Sequence, residues 1–253
     1  MGALAGLLAG LFGIGGGLVI VPVLALVFAG QGVDPAVIMH LAIGTSLATI
    51  VITSLSSIRA HHRRGAVDWP VFRRITPGIV VGGVLGSGLA SMLSSDVLRT
   101  AFALFLLLVA LRMAFDLAPQ AHRQLPGRPG MGLAGTLIGA VSTLMGIGGG
   151  TLSVPFLTWC NVAVRRAVAT SAAIGLPIAV TGTIVYLITG WGQTVLPPLS
   201  LGYINLPAFV GIVVASTLFA PLGARLAHTL PERLLKRFFA VFLAVLGLRL
   251  LLG

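Results

Sequence analysis

The sequence predicts an all-α polytopic membrane protein, and three features of its 253 residues support this prediction. Apolar residues make up 57% of the chain, charged residues only 8%, and the mean hydropathy is +1.08. A soluble domain carries about 25% charged residues, so this chain lacks the polar surface that a soluble globule needs. The apolar residues also form eight separate stretches, and the same glycine-rich sequence interrupts two of them.

The eight apolar stretches, named A to H in chain order, leave no room for a soluble domain. A helix needs about 20 apolar residues to cross the hydrocarbon core of a bilayer, and six of the stretches have that length. Stretches A and E are longer, and each contains Gly-Ile-Gly-Gly-Gly near its middle. The stretches span residues 3–29 (A), 37–58 (B), 75–93 (C), 97–115 (D), 131–159 (E), 167–189 (F), 204–227 (G) and 234–252 (H).

The glycine pentad at residues 13–17 recurs at residues 146–150, which indicates an internal repeat. Residues 1–12 lack a basic n-region and resemble residues 132–144, so we expect them to belong to the fold rather than to a signal peptide. Further matches follow in the same order: Pro22 with Pro155, Thr45-Ser46 with Thr170-Ser171, Gly65 with Gly190, and Leu98-Arg99 with Leu235-Lys236.

The repeat divides the chain into three parts. We predict a first repeat over residues 1–117, a linker over 118–130 and a second repeat over 131–253, all within one transmembrane domain. The polar, Pro-rich composition of the linker predicts an exposed cytoplasmic connection.

The distribution of Lys and Arg favours re-entrant hairpins for stretches A and E. If all eight stretches crossed once, the cations would divide nine to seven between the two faces. If A and E instead return to the face they entered, fourteen cations lie inside and only Arg99 and Arg249 lie outside. The second arrangement gives two inverted repeats, each a re-entrant, broken helical hairpin plus three transmembrane helices. Inverted repeats are a recurring architecture of secondary transporters.

The two glycine breaks are the predicted binding site. A non-helical bend within the membrane leaves backbone N–H groups unpaired, and the helix that restarts after it directs its positive dipole end at the bend. Such a helix terminus binds anions, and hydroxyls of stretches B and F could add donors. The predicted substrate-binding residues are Gly13, Gly15, Gly16, Gly17, Thr45, Ser46, Gly146, Gly148, Gly149, Gly150, Thr170 and Ser171.

Other glycine rows and hydroxyls have structural interpretations. The rows Gly2-x3-Gly6-x3-Gly10 and Gly78-x3-Gly82-x3-Gly86 are typical of close helix packing in membranes. Each hydroxyl of the Thr-Ser pairs can also bond its own helix, which leaves a direct ligand role open.

Several classes of function are disfavoured. The net charge of +11 lies in short loop clusters without interleaved aromatic residues, which indicates topology rather than nucleic-acid binding. The five acidic residues all fall in loops or at helix ends, and Cys160 is the only cysteine, so we predict no metal site, no cofactor and no catalytic residue.

These features resemble the TauE/SafE sulfite exporter family. The resemblance is carried by the two glycine pentads, by Pro22 and Pro155 after them, by a Thr-Ser pair one stretch later, and by a short closing helix that ends in Leu-Arg. It implies a multi-pass carrier of the bacterial inner membrane for a small anionic sulfur compound such as sulfite or an organosulfonate. An anion channel and a carrier of another small anion stay open as alternatives. The substrate, the direction, the coupling ion and the oligomeric state, a homo-oligomer included, also stay open.

Overall fold

The computed structural model describes residues 16–115, 123–229 and 232–252 of the chain. In these ranges the protein is almost entirely helical, with one short β-hairpin. The elements are α1 (Gly17–Gly30), α2 (Pro35–Arg63), α3 (Trp69–Met92), α4 (Ser95–Ala114), α5 (Arg128–Met145), α6 (Gly150–Trp159), α7 (Val164–Thr189), β1 (Ser200–Leu201), β2 (Ile204–Asn205), α8 (Leu206–Thr229) and α9 (Glu232–Leu252).

The starts of the long helices follow from capping chemistry. Asp34 precedes α2, and its carboxylate accepts a hydrogen bond from the Ala36 N–H at 2.9 Å. Asp68 caps α3 in the same way by accepting from the Val71 N–H at 3.1 Å. In both helices a proline occupies one of the first two positions, where its missing N–H costs no intrahelical bond.

The described part of the chain forms a multi-pass, all-α membrane protein. Four helices, α2, α3, α4 and α7, are long and apolar enough to cross a bilayer. Large apolar side chains point outward from them, as at Leu85, Leu108 and Ile184, each more than half exposed. A surface of this kind is stable against lipid and not against water.

Helices α2 and α7 form the centre of the bundle and run antiparallel. A methyl group built on Gly44, near the start of α2, would lie 3.2 Å from Cβ of Tyr186, near the end of α7. One built on Gly175, nearer the start of α7, would lie 3.2 Å from Oγ of Ser54, further along α2. The positions that correspond in the two sequence repeats therefore lie on helices of opposite direction.

Helices α3 and α5 pack with their backbones in close contact. A Cβ atom on Gly78, Gly82 or Gly86 of α3 would collide with the main chain of α5, at Gly132, Thr136 and Ala140. Small residues permit such an approach, and van der Waals packing is the main attraction between helices in lipid. The packing interpretation of this row is consistent with these contacts, while Gly2, Gly6 and Gly10 lie outside the described residues.

Stretch E forms two helices of unequal length, and the segment that precedes the first contacts the end of the second. After α5 the chain breaks at residues 146–149 and continues as the ten-residue α6. At the end of α6, the carbonyl of Trp159 accepts a hydrogen bond from the N–H of Arg123 at 3.3 Å, and the Arg123 guanidinium lies 5.4 Å from the centre of the Trp159 ring. Of stretch A, only residues from Gly16 onward are described.

Candidate functional site: two glycine breaks

The two glycine breaks contact each other at the centre of the molecule. A methyl group built on Gly17 would lie 2.6 Å from the carbonyl oxygen of Gly146 and 2.8 Å from Cα of Ile147. Both breaks also lie against α2. A methyl group built on Gly17 would lie 3.3 Å from Cδ1 of Ile50, and the Gly146 carbonyl accepts a hydrogen bond from the Ser46 hydroxyl at 2.8 Å. The structure thus brings residues of both pentads together.

At the first break, Gly16 is the residue before α1, and its φ of 68° lies in the left-handed region. Its carbonyl accepts the first backbone bonds of the helix, from the N–H groups of Val19 and Ile20. The N–H groups of Gly17 and Leu18, which precede Val19 in the first turn, have no partner within the helix. Gly13 and Gly15 lie outside the described residues.

At the second break, Gly146 ends α5 in the left-handed conformation, with φ 67°. The N–H of Ile147 then bonds the carbonyl of Ser142 at 2.9 Å, which completes the last turn of α5. Gly148 and Gly149 are buried, and Gly150 begins α6. The chain passes from one helix to the next within four residues, and the N-terminus of α6 is inside the protein.

Gly149 packs closely against α7. A methyl group built on Gly149 would lie 2.5 Å from the Ser171 carbonyl oxygen and 2.9 Å from the Gly175 nitrogen. Its φ is −62°, so the backbone conformation there does not require glycine. Glycine is required there because the backbone lies so close to α7.

The four hydroxyls of the Thr-Ser pairs all take part in hydrogen bonds within the protein. Thr45 Oγ1 accepts from the N–H of Asn205 at 3.0 Å, and Thr170 Oγ1 accepts from the N–H of Asp68 at 2.9 Å. Ser46 donates to Gly146, whereas Ser171 donates to the Val168 carbonyl of its own helix at 2.8 Å. In this conformation the two serine donors are occupied by backbone carbonyls.

Three other hydroxyls around the second break are buried without a hydrogen-bond partner. They belong to Ser142 in the last turns of α5 and to Thr151 and Ser153 in the first turn of α6. Five buried hydroxyls in the described part of the chain lack a partner, and these are three of them. The side chains of Ser142 and Ser153 are fully buried. Because leaving a polar group buried and unpaired costs about 1–3 kcal/mol, this concentration favours a ligand at the break.

Sequence reasoning missed these three residues, although a signal for them exists. At the repeat offset of 133, the first repeat has Ala9, Leu18 and Ile20 where the second has Ser142, Thr151 and Ser153. These three positions differ between the repeats, so they are not among the residues that the two repeats share. In the sequence, hydroxyl residues flank the second pentad at these positions and apolar residues flank the first.

A cavity of about 350 Å³ lies elsewhere, in the loop between α7 and β1. Trp191, Pro197 and Gly202 are among its lining residues, and none of the predicted binding residues lines it.

The fold and the breaks define a multi-pass α-helical membrane protein with interrupted helices at its centre. The sequence model of the family described as "Sulfite exporter TauE/SafE" matches residues 1–250, and the chain belongs to this family.

Relatives of this chain are named as probable membrane transporters. A "Probable membrane transporter protein" of Haemophilus influenzae is 38% identical over 253 residues, which cover 100% of this chain and 96% of the relative. The "Probable membrane transporter protein MJ0441" of Methanocaldococcus jannaschii is 29% identical, over 100% of this chain and 93% of that protein. The Bacillus subtilis protein YdhB, also named as a probable membrane transporter, is 28% identical over 98% of this chain and 96% of its own length. No solved structure matches the chain significantly. Family and relatives together indicate a membrane transporter.

Proposed function

We propose that the protein exports a small sulfur oxyanion, such as sulfite or an organosulfonate, and binds it at the second glycine break. The observation that carries the proposed site is the set of unpartnered, buried hydroxyls on either side of the second break in the chain, at Ser142 before it and at Thr151 and Ser153 in the first turn of α6. The substrate class rests on the family, whose description names sulfite.

The chemistry of the second break suits an oxyanion. The first turn of α6 has N–H groups without intrahelical partners, and the helix dipole places partial positive charge there. Side chains in a helix lean toward its N-terminus, which directs the hydroxyls of Thr151 and Ser153 toward the break. An anion with several oxygens can accept from N–H and O–H donors at once. Binding requires no cofactor, metal or catalytic group.

We further propose that the chain consists of two inverted repeats, residues 1–117 and 131–253, joined by a cytoplasmic linker, 118–130. The antiparallel course of α2 and α7, which correspond in the two repeats, supports opposite insertion of the halves. The bond between Arg123 and Trp159 supports a hairpin that returns to the face it entered. Stretch A would form the equivalent hairpin in the first repeat.

The protein transports the anion by alternating access around the two breaks. Moving one negative charge out of a cell that is negative inside releases about 2.3 kcal/mol per 100 mV, so export of an anion requires no coupled ion. A channel would use the same donors, but its flux would not saturate at carrier rates.

Reconstitution into proteoliposomes tests the proposal. We expect saturable flux of sulfite or of a sulfonate, and we expect Ser153→Ala and Thr151→Val each to weaken binding. Loss of one hydrogen bond to a charged ligand costs about 1.5–3 kcal/mol, which corresponds to roughly ten- to hundredfold weaker binding.

Thr158→Val is the matched control on the same helix, because the Thr158 hydroxyl bonds the Val154 and Pro155 carbonyls at the far end of α6. Arg63→Gln and Arg64→Gln, in the loop after α2, should likewise leave affinity unchanged. Wild-type affinity in both break variants together with lost binding in the arginine variants would place the site in the basic loop instead.

A further inference from the structure

Two hydrogen bonds of the same kind join the repeats. The hydroxyl of Thr45, in the first repeat, accepts from the backbone N–H of Asn205 in the second, at 3.0 Å. The hydroxyl of Thr170, in the second repeat, accepts from the backbone N–H of Asp68 in the first, at 2.9 Å. Thr45 and Thr170 are corresponding residues, and both are completely buried. Each repeat therefore holds a loop of the other with one threonine.

The two loops share a local sequence and conformation. Gly-Ala-Val-Asp-Trp-Pro begins at residue 65, and Gly-Tyr-Ile-Asn-Leu-Pro begins at residue 202. Both glycines have positive φ, 61° at Gly65 and 54° at Gly202. Asp68 accepts from the Val71 N–H, and Asn205 accepts from the Ala208 N–H, so each caps the helix that follows. The conformational counterpart of Gly65 is thus Gly202, while Gly190, its expected match, marks the end of α7.

The two bonds lie toward opposite ends of the α2–α7 pair. Because these helices are antiparallel, the contacts between them place Thr170 level with Arg59 of α2. Thr45 and Arg59 are fourteen residues apart, or about 21 Å along the helix. The second break contacts this pair between the two levels, at Ser46 on α2 and from Ser171 to Gly175 on α7.

We propose that Thr45 and Thr170 are gate residues, each of which holds a loop closed over one entrance to the site between them. This inference rests on the proposed transport function and assigns its two gates. The Thr45 gate consists of residues 202–205, held by the hydrogen bond to Thr45. The Thr170 gate consists of residues 65–68, held by the hydrogen bond to Thr170. Export requires one gate to open while the other stays closed.

A single hydrogen bond is suited to a gate. Its net contribution is small, so it breaks and re-forms without unfolding the helices beside it. The two gates are unequal in their other contacts. Tyr203 of the Thr45 gate packs its backbone against Gly44 and stacks its ring on His40, with the ring centroids 5.0 Å apart. The Thr170 gate has the small residue Ala66 at the corresponding position.

Thiol labelling from the two faces of the membrane tests this assignment without any anion. The reporter is Ser54→Cys in a Cys160→Ser background, because Ser54 is buried on α2 between the gates. A membrane-impermeant maleimide is added to right-side-out and to inside-out membranes. We expect Thr45→Val to raise the labelling rate about fivefold from the face of the Thr45 gate, the factor that corresponds to one lost hydrogen bond, and to lower it from the other face. Thr170→Val should do the reverse.

Matched variants separate gating from general loosening. Thr45→Ser and Thr170→Ser keep the acceptor oxygen and should restore wild-type rates. Thr49→Val removes a buried hydroxyl that bonds only the Ser46 carbonyl of its own helix, and it should change neither rate. If a valine variant fails to insert, Thr45→Ala and Thr170→Ala provide the same comparison.

Two results would overturn the gates: equal changes from both faces, or unchanged rates in variants that a permeant maleimide labels normally. Since no anion is present, a failure of the proposed substrate site would leave this measurement unaffected. Opposite effects of the two threonines with unaltered anion binding in the Ser153 variant would support the gates and contradict the proposed site.

Discussion

Gly16 and Gly149 occupy equivalent positions of the two pentads but require glycine for different physical reasons. Gly16 has φ 68°, and a residue with a side chain pays about 1–2 kcal/mol in that region. Gly149 has an ordinary helical φ but lies against the backbone of α7. Loss of transport on substituting Gly149 would therefore report packing as well as binding. The hydroxyls of Thr151 and Ser153 provide the cleaner test of the site.

At the residue scale, we predict that alanine is tolerated differently at three glycines. Gly149→Ala should lower the melting temperature in detergent most, since its methyl group would lie 2.5 Å from the Ser171 carbonyl oxygen. Gly16→Ala should cost about 1–2 kcal/mol. Gly30→Ala, at the end of α1 with nothing within 4 Å, should be neutral or stabilise by up to about 1 kcal/mol. A Gly149→Ala protein as stable as the wild type would contradict the close approach to α7.

At the scale of elements, stretch E should enter and leave the membrane at the same face. Single cysteines at Gly32, Arg128 and Asn161 in a Cys160→Ser background probe this, because all three positions are exposed. We expect an impermeant reagent to reach Arg128 and Asn161 from the cytoplasm and Gly32 only from the opposite face. Labelling of Asn161 from outside would exclude the hairpin and with it the inverted repeats.

The bounds of the described helices could be predicted from the sequence to within about six residues. Stretch B was expected to begin at residue 37 and α2 begins at Pro35; stretch C was expected at 75 and α3 begins at Trp69. The differences arise because hydropathy marks where apolar residues begin, whereas the capping residues Asp34 and Asp68 lie three and seven residues earlier.

The contacts of the site could not be read in this way. Thr45 lies 160 residues from its partner Asn205, and Ser46 lies 100 residues from Gly146. Hydropathy and spacing describe the sequence near a residue, so they do not predict contacts between residues that are far apart in the chain. The pentads were found because they repeat, whereas Thr151 and Ser153 depend on a difference between the repeats. The β1–β2 hairpin was missed because its two-residue strands are shorter than any periodicity that could reveal them.

At the scale of the whole molecule, the two repeats interlock. Helix α3 of the first packs along α5 of the second, α2 packs along α7, and the two threonine bonds cross between them. The glycine faces of α3 and α5 are buried against each other. In the described part of the chain, helices from residues 1–117 and from residues 131–253 thus pack against each other as two pairs.

Separate production of the halves tests this interlocking. We predict that fragments 1–117 and 123–253, produced together, co-purify and retain transport, while either fragment alone is degraded. The second fragment keeps the bond between Arg123 and Trp159, so the cut spares the described contacts of stretch E. Gly82→Leu should separate the fragments, because its side chain would collide with the backbone of Thr136 on α5. Gly88→Leu, six residues further along α3 with nothing within 4 Å, should leave them associated. Stable, monodisperse single fragments, or equal effects of the two leucines, would show that α3 and α5 do not hold the repeats together.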